Sequence, residues 1–163
     1  MLRYINISSA TLIAESAFNG CESLSAIDMR NVKTIQKLAF NGCTNLTKDH
    51  IDSDDIAGAN TIQLFVNTTQ NIGDEAFKNS GLQHISIGSK FISADSSIGS
   101  GIFNGCNNLT HISVDLNYRE FAEKLNISDE DIKQVELNRS DATIVANACK
   151  QLYEKLFGTN VIS

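Results

Sequence analysis

One stretch recurs along this chain of 163 residues and decides how it folds. It reads Ala17-Phe18-Asn19-Gly20-Cys21, then Ala39-Phe40-Asn41-Gly42-Cys43, and later Ile102-Phe103-Asn104-Gly105-Cys106. A more divergent copy reads Ala76-Phe77-Lys78-Asn79-Ser80-Gly81. The first two copies lie 22 positions apart, and repetition at a fixed period of this size indicates a solenoid of stacked units.

Each unit opens with the apolar pattern Leu-x-x-Ile-x-(Ile/Met/Val), which begins at Leu2, Leu24, Leu82 and Leu109. Its last two apolar residues alternate with polar ones, which predicts a β-strand with one buried face. In the second half of each unit, an Ile precedes the Phe by five residues. That spacing predicts a helical turn packed under the strand, and the following Gly predicts a left-handed or tightly packed exit from the turn.

The whole pattern, Ile-x-x-x-Ala-Phe-x-Gly-Cys-x-x-Leu-x-x-Ile-x-(Ile/Val), resembles the BspA-like subfamily of leucine-rich repeats over roughly residues 2–115. The resemblance implies an α/β leucine-rich repeat solenoid with a parallel β-sheet face. Stacking units about 4.8 Å apart would close a core that no single unit can form. The resemblance also implies a scaffold for adhesion and protein recognition. Members of this subfamily are often cell-surface or secreted proteins.

We predict two regions. Residues 1–116 should form four to five coils, with irregular segments at 47–60 and 88–98. The first irregular segment contains a degenerate or shortened repeat from Leu46 to about Asn60, after which a strand is expected at Leu64-Phe65-Val66. In the second, about five extra residues near Ser93 to Ser97 should form a loop.

Residues 117–163 lose the repeat period and should form a helical cap. A helix is predicted from Tyr118 to Leu125, a second begins at Asp129 with Ser128 as its cap, and a third ends at Gly158. Ser140 or Asp141 caps the third helix, whose predicted apolar face contains Val145, Ala148, Cys149, Leu152 and Leu156. This helix either covers the open end of the sheet or docks to another subunit or protein.

The repeated Phe and Cys residues should line the core. Phe18, Phe40, Phe77 and Phe103 are expected to form one spine. Cys21, Cys43 and Cys106 share one repeat position and are expected to be buried and reduced, although a disulfide between the stacked Cys21 and Cys43 is an alternative. Cys149 is expected to be an inert core thiol.

Composition excludes some classes of function. The formal net charge is −6 and the pI is about 4.9, which argues against nucleic-acid binding and permits a protein partner with a basic surface. The sequence shows no signal peptide and no run of 18 apolar residues, so membrane insertion is not expected. The location in the cell stays unknown, because the chain is either intracellular or a fragment of a longer protein.

Strand alternation predicts which side chains point away from the core, and these are the candidate partner-binding residues. Phe65 and the arginine are the strongest candidates, since aromatic and Arg side chains dominate binding energy at interfaces. An alternative register places Phe65 inside the core. The candidates are Tyr4, Asp28, Arg30, His50, Phe65, His84, His111 and Asp115.

His84 and His111 occupy the same repeat position, so their side chains should lie about 5 Å apart in adjacent coils. They could hold a metal ion together with Asp115, but a solvated polar ladder is the favoured interpretation. Asp52, Asp54 and Asp55 lack the glycine and terminal Glu of a calcium loop. No cofactor or metal ion is therefore expected.

No catalytic motif is present: there is no G-x-S-x-G, no H-E-x-x-H and no phosphate-binding loop. The leading hypothesis is a non-enzymatic protein-recognition module that binds a protein partner through the sheet face. The alternatives are a structural protein that self-assembles through its terminal coil or last helix, and an acidic intracellular inhibitor of an enzyme with a basic groove.

Overall fold

The structure is a computed structural model, and it describes residues 1–47, 61–64, 68–88, 95–114 and 117–158. The predicted site residues His50, Phe65 and Asp115 lie outside these ranges. So do Asp52, Asp54 and Asp55, most of the predicted degenerate repeat, and residues 93 and 94 of the predicted loop. Ser97, which was expected in that loop, belongs instead to a strand.

Nine short strands precede three helices. The strands are β1 (Tyr4–Asn6), β2 (Leu12–Ile13), β3 (Ala26–Asp28), β4 (Thr34–Ile35), β5 (Thr61–Leu64), β6 (Asn71–Ile72), β7 (His84–Ile87), β8 (Ser97–Ile98) and β9 (His111–Val114). The helices are α1 (Tyr118–Lys124), α2 (Asp129–Leu137) and α3 (Ala142–Phe157). These bounds cover the described residues only.

All described strand pairs are parallel, as the repeat predicts. On one side of the stack, β1 pairs with β3, and β7 lies between β5 and β9. Repeat positions align in these ladders, with Ile5 opposite Ile27 and Ile85 opposite Ile112. Strand β5 begins at Thr61, three residues before the predicted strand, and its Ile62 is aligned with Ile85. The strand arises there because the apolar alternation already starts at Ile62.

The second half of each unit differs from the predicted helical turn. It starts with a two-residue strand, and β2, β4, β6 and β8 form a second parallel sheet in which Ile13, Ile35, Ile72 and Ile98 are aligned. Turns with hydrogen bonds between residues three apart follow, such as Cys21 N to Phe18 O at 3.0 Å. The chain cannot continue into a helix because it twice adopts a positive φ, for example +56° at Ser16 and +73° at Gly20.

The glycine of the repeat therefore has the left-handed conformation that the sequence predicts. Gly42 and Gly105 also have a φ of +73°, and in the divergent copy Asn79 takes this role with a φ of +54°. Asparagine is the residue that best replaces glycine in this conformation. The divergent copy thus keeps the backbone conformation of the repeat, although its glycine, Gly81, stands two positions later.

Stacking of the coils places the four phenylalanines in one spine, as predicted. Ring centroids are 5.3 Å apart between Phe18 and Phe40, 5.1 Å between Phe40 and Phe77, and 6.2 Å between Phe77 and Phe103. Phe40, Phe77 and Phe103 are fully buried, and Phe18 is partly buried at the first coil. The spine forms part of one continuous hydrophobic core that also includes residues of the helices.

Pairing in the second sheet joins the unit that contains Phe40 to the unit that contains Phe77. Strand β4 pairs directly with β6, so no described strand lies between them in the second sheet. The Phe spine also passes directly from Phe40 to Phe77. The degenerate or shortened repeat predicted from Leu46 to about Asn60 stays a prediction, because most of it lies outside the described residues.

The three helices begin where the sequence predicts. The side chain of Ser128 accepts a hydrogen bond from Asp131 N, and Asp141 accepts from Thr143 N and Ile144 N. Helix α1 starts with a reciprocal capping box between Asn117 and Glu120. Helix α3 ends at Gly158, whose φ is +85°.

The C-terminal end of α3 lies against the last coil as another coil would. Gly101 N donates to Lys155 O at 3.3 Å, and Phe103 N donates to Leu156 O at 3.0 Å. In earlier coils, equivalent backbone amides donate to the next coil, as Phe77 N does to Ile102 O. Phe157 extends the Phe spine, with its ring centroid 6.0 Å from that of Phe103. The last carbonyl groups of a helix have no partner within the helix, and the amides of the last coil have no further coil to bind. Here the two sets of groups bind each other.

The cysteines follow the prediction only in part. All four are free, and Cys43 and Cys106 are buried. Their thiols donate to the Phe carbonyl of the preceding coil, Cys43 to Phe18 O and Cys106 to Phe77 O, both at 3.0 Å. Cys21 is only half-buried, because no described residue stacks on the outer side of the first coil.

The expectation that Cys149 is a core thiol is wrong, because its side chain is exposed. The buried side of α3 contains its neighbour Ala148, together with Leu156 and Phe157. Consecutive residues point about 100° apart on a helix. Because the buried side of α3 is narrow, it includes Ala148 and leaves Cys149 exposed to solvent.

Candidate partner-binding surface

The sheet face is the surface formed by the outward positions of strands β1, β3, β7 and β9 and the residues that follow them. Its members alternate with inward residues such as Ile27, Ile85 and Ile87, which are buried. In the part of the chain that the structure describes, the sheet face comprises Tyr4, Asn6, Asp28, Arg30, His84, Ser86 and His111.

Tyr4 and Arg30 supply the aromatic and cationic groups of this surface. Tyr4 lies on β1, opposite Ala26 of β3, and is 41% exposed. The Arg30 side chain follows β3 and is 60% exposed. Both residues were predicted to face outward, and both are accessible.

Asp28 departs from the prediction of an exposed acid, since it is only 2% exposed. Arg30 turns back over it and forms a two-point contact, with Nε donating to Oδ1 at 3.0 Å and Nη2 donating to Oδ2 at 2.6 Å. The backbone amide of Arg30 also donates to Oδ1 at 3.3 Å. Asp28 is therefore a positioning residue that holds the guanidinium of Arg30 in one orientation.

His84 and His111 come together as the sequence predicts. They are directly aligned on β7 and β9, and their ring centroids are 4.9 Å apart at an interplanar angle of 77°. His111 is exposed and His84 is half-exposed. Because His50, Phe65 and Asp115 lie outside the described residues, their place relative to this pair stays a prediction.

A row of side-chain hydroxyl groups between coils was not predicted from the sequence. A hydroxyl residue follows the repeat leucine in three units, and its side chain donates to a carbonyl of the preceding coil. The bonds run from Ser25 to Arg3 O at 2.9 Å, from Thr47 to Ser25 O at 3.4 Å and from Thr110 to Gln83 O at 3.3 Å. The recurrence of Ser or Thr after Leu24, Leu46 and Leu109 is the signal that would have revealed this ladder.

The helical region contains a separate charged cluster around Arg119. Arg119 donates to Glu136 from Nε at 2.8 Å and from Nη2, and Nη1 contacts Asp129 at 3.1 Å and Glu123 at 3.2 Å. Hydrogen bonding by Arg119 lowers the pKa of the Glu136 carboxyl below its usual value. The pKa of Asp129 is also lowered, first by its bond to Lys133 and then by Arg119. The cluster joins α1 to α2, which is a structural role.

The described part of the chain offers little for catalysis or metal chemistry. No group of three or more His, Cys, Asp or Glu residues within it is placed to hold a metal ion. A depression of about 420 Å³ includes Asp74 and Glu75. However, Asp74 Oδ1 accepts from Ser100 N at 2.8 Å, and Glu75 pairs with Lys78 at 2.7 Å.

A second groove, of about 230 Å³, lies beside Tyr118, Asp131, Asn147 and Gln151. Its volume is below the roughly 300–1,000 Å³ of most small-molecule sites. Burial, followed by the nearby Asp131 carboxylate, raises the pKa of the Tyr118 phenol. None of the three helices that the structure describes is long and apolar enough to cross a bilayer.

Parallel coils, aligned repeat positions and a shared Phe spine define a leucine-rich repeat protein with an α/β repeat fold. The chain belongs to the BspA type leucine-rich repeat family, whose profile matches residues 1–63 and 55–155 with six copies of the repeat. Members of this family provide a repeat scaffold that often mediates protein interaction.

Among solved structures, the chain is similar to a leucine-rich repeat protein from Bacteroides ovatus, with 29% sequence identity and a TM-score of 0.51. The similarity covers 68% of this chain but only 25% of that protein. No curated protein matches this chain.

Proposed function

We propose that this chain is a non-enzymatic protein-recognition module and that its sheet face binds a protein partner. The observation that carries the proposal is the exposed guanidinium of Arg30, held by the buried carboxylate of Asp28. A side chain that is already fixed loses little conformational entropy when a partner binds, so more of its contact energy appears as affinity.

Other properties of the sheet face support the same proposal. Tyr4 and Arg30 are of the residue types that most often dominate binding energy, and both lie at the β1 and β3 end of the surface. The paired histidines lie on β7 and β9 and add polar groups that suit the rim of an interface. Strands locked by parallel ladders present these groups on a rigid frame.

The charge of the chain supports a partner with a basic surface. The formal net charge is −6, and opposite charges speed encounter and exclude partners of like charge. On this proposal, Arg30 contributes an oriented cation within an otherwise acidic protein.

A second candidate is self-association through the first coil. Four large apolar residues near the start of the chain are exposed, and they are Met1, Leu2, Tyr4 and Leu12. Exposed apolar side chains of this size can contribute to a protein contact. Size-exclusion chromatography with light scattering separates this candidate from the first, since a concentration-dependent dimer that Leu12→Ser disrupts would support self-association.

The test of the sheet face compares two folded variants in binding to a partner that has been identified by affinity capture and then purified. The sheet variant combines Tyr4→Ala with Arg30→Lys, which keeps the charge over Asp28 but loses the two-point contact. The helix variant combines Lys150→Glu with Lys155→Glu on the exposed side of α3. We expect the sheet variant to bind at least about tenfold more weakly, and the helix variant to match wild type. The opposite pattern would reject the sheet face and place the contact on α3.

A further inference from the structure

His84 and His111 are held next to each other by the backbone. They are aligned in the parallel ladder of β7 and β9, and their ring centroids are 4.9 Å apart. The rings now meet edge to face at 77°. The torsion that turns a histidine ring about its Cβ–Cγ bond is broad, so these accessible rings can turn to direct nitrogen atoms toward one point.

A neighbouring hydroxyl contacts one ring nitrogen of His111. Thr110 Oγ1 donates its one hydrogen to Gln83 O at 3.3 Å, and the same oxygen lies 3.0 Å from His111 Nδ1. In the tautomer with the proton on Nδ1, this oxygen accepts from Nδ1–H, and Nε2 of His111 is then the nitrogen that can bind a metal ion. Histidine ligands of metals are typically oriented in this way by a second hydrogen bond at the other nitrogen.

We propose that His84 and His111 form a binding site for a divalent transition-metal ion of the Zn²⁺ and Cu²⁺ class. Imidazole nitrogen suits these ions, and the net charge of −6 attracts cations to the protein. His111 contributes Nε2, His84 contributes a ring nitrogen from the adjacent coil, and water fills the remaining positions. The site is independent of the proposed partner binding and requires no third protein ligand.

The direct test is calorimetric titration of the full chain with ZnCl₂, using protein without a histidine tag and with a phosphine reductant in place of a thiol. Wild type should bind one ion per chain. His84→Gln and His111→Gln should each weaken binding at least about tenfold, and the double variant should abolish the titration. Cys149→Ser removes an exposed thiol on α3 and should leave the affinity unchanged.

The role of Thr110 provides a second test. Thr110→Val removes the hydroxyl and should weaken Zn²⁺ binding toward the lower end of the roughly 10–100-fold range seen for such supporting residues, while Thr110→Ser should restore it. Circular dichroism verifies that each variant is folded. Copper electron paramagnetic resonance of wild type should show coupling to two equivalent imidazole nitrogens. Failure of wild type to bind Zn²⁺, or undiminished binding in the double histidine variant, would overturn the proposal.

Discussion

Replacement of Phe40 by alanine tests whether the phenylalanine spine carries the stability of the stack. Phe40 is fully buried, and its ring lies between those of Phe18 and Phe77, at 5.3 and 5.1 Å. Core Phe→Ala substitutions cost about 3–5 kcal/mol, and each aromatic pair contributes about 0.5–1.5 kcal/mol beyond burial. Because Phe40 loses two such pairs, we expect a cost near the upper end, about 4–5 kcal/mol.

Phe18→Ala is the matched control, since this residue has the same repeat position but only one stacked neighbour and is partly buried. Phe18→Ala should lower the free energy of unfolding by about 2 kcal/mol, because Phe18 buries less apolar area than Phe40 and loses only one aromatic pair. Phe40→Leu keeps most of the volume but also loses both aromatic pairs, so it should cost about 1–3 kcal/mol, less than Phe40→Ala.

Urea unfolding monitored by circular dichroism measures these differences, provided that the slope of free energy against urea is the same for all variants. For a chain of this size, the expected cost of Phe40→Ala corresponds to a fall in melting temperature of about 8–20 °C. A loss below about 1 kcal/mol for Phe40→Ala, or equal losses for Phe40→Ala and Phe18→Ala, would refute the spine as the main source of stability.

Three further predictions follow from the turns, the thiols and α3. Gly42→Ala should cost about 1–2 kcal/mol in urea unfolding because the φ of +73° disfavours a side chain, and Gly42→Asn should cost less, since Asn79 tolerates the same conformation. Burial, and then the nearby Cys21 thiol, raises the pKa of Cys43 to about 12, so the unfolded chain loses this proton at a lower pH than the folded chain. Stability should therefore fall as pH rises from about 8.5 toward 12, and Cys43→Ala should reduce that slope in melting temperatures measured across this range. Phe157→Ala should speed hydrogen exchange at the Phe103 amide, which donates to Leu156 O, and unchanged exchange would count against this closure of the stack.

The repeat was readable from the sequence because several independent signals agree at each unit. The period placed Ile5 opposite Ile27 and His84 opposite His111, and the structure shows both alignments. Helix caps such as Ser128 were also predictable, since capping depends on local hydrogen bonds. These features are determined by residues close in sequence or by exact repetition.

Other features were not predictable because they depend on side-chain contacts and packing that the apolar pattern does not encode. Two-residue strands such as β4 are too short to show an alternating pattern, so the sequence predicts helical turns where the second sheet lies. The burial of Asp28 depends on how Arg30 folds over it, which strand alternation cannot reveal. The exposure of Cys149 depends on which side of α3 packs against the rest of the protein, and the neighbouring elements determine that side.

The bonds from Gly101 and Phe103 to the end of α3 also bear on how the number of repeats can change. A unit duplicated after the last coil would have to displace α3. A unit inserted between the coils that contain Phe18 and Phe40 would instead have a repeat unit as its neighbour on both sides. Each internal insertion of 22 residues should lengthen the sheet face by about 4.8 Å and leave the terminal helix in place. Repeat units should therefore be gained or lost within the array, and the junction between the last coil and α3 should stay constant.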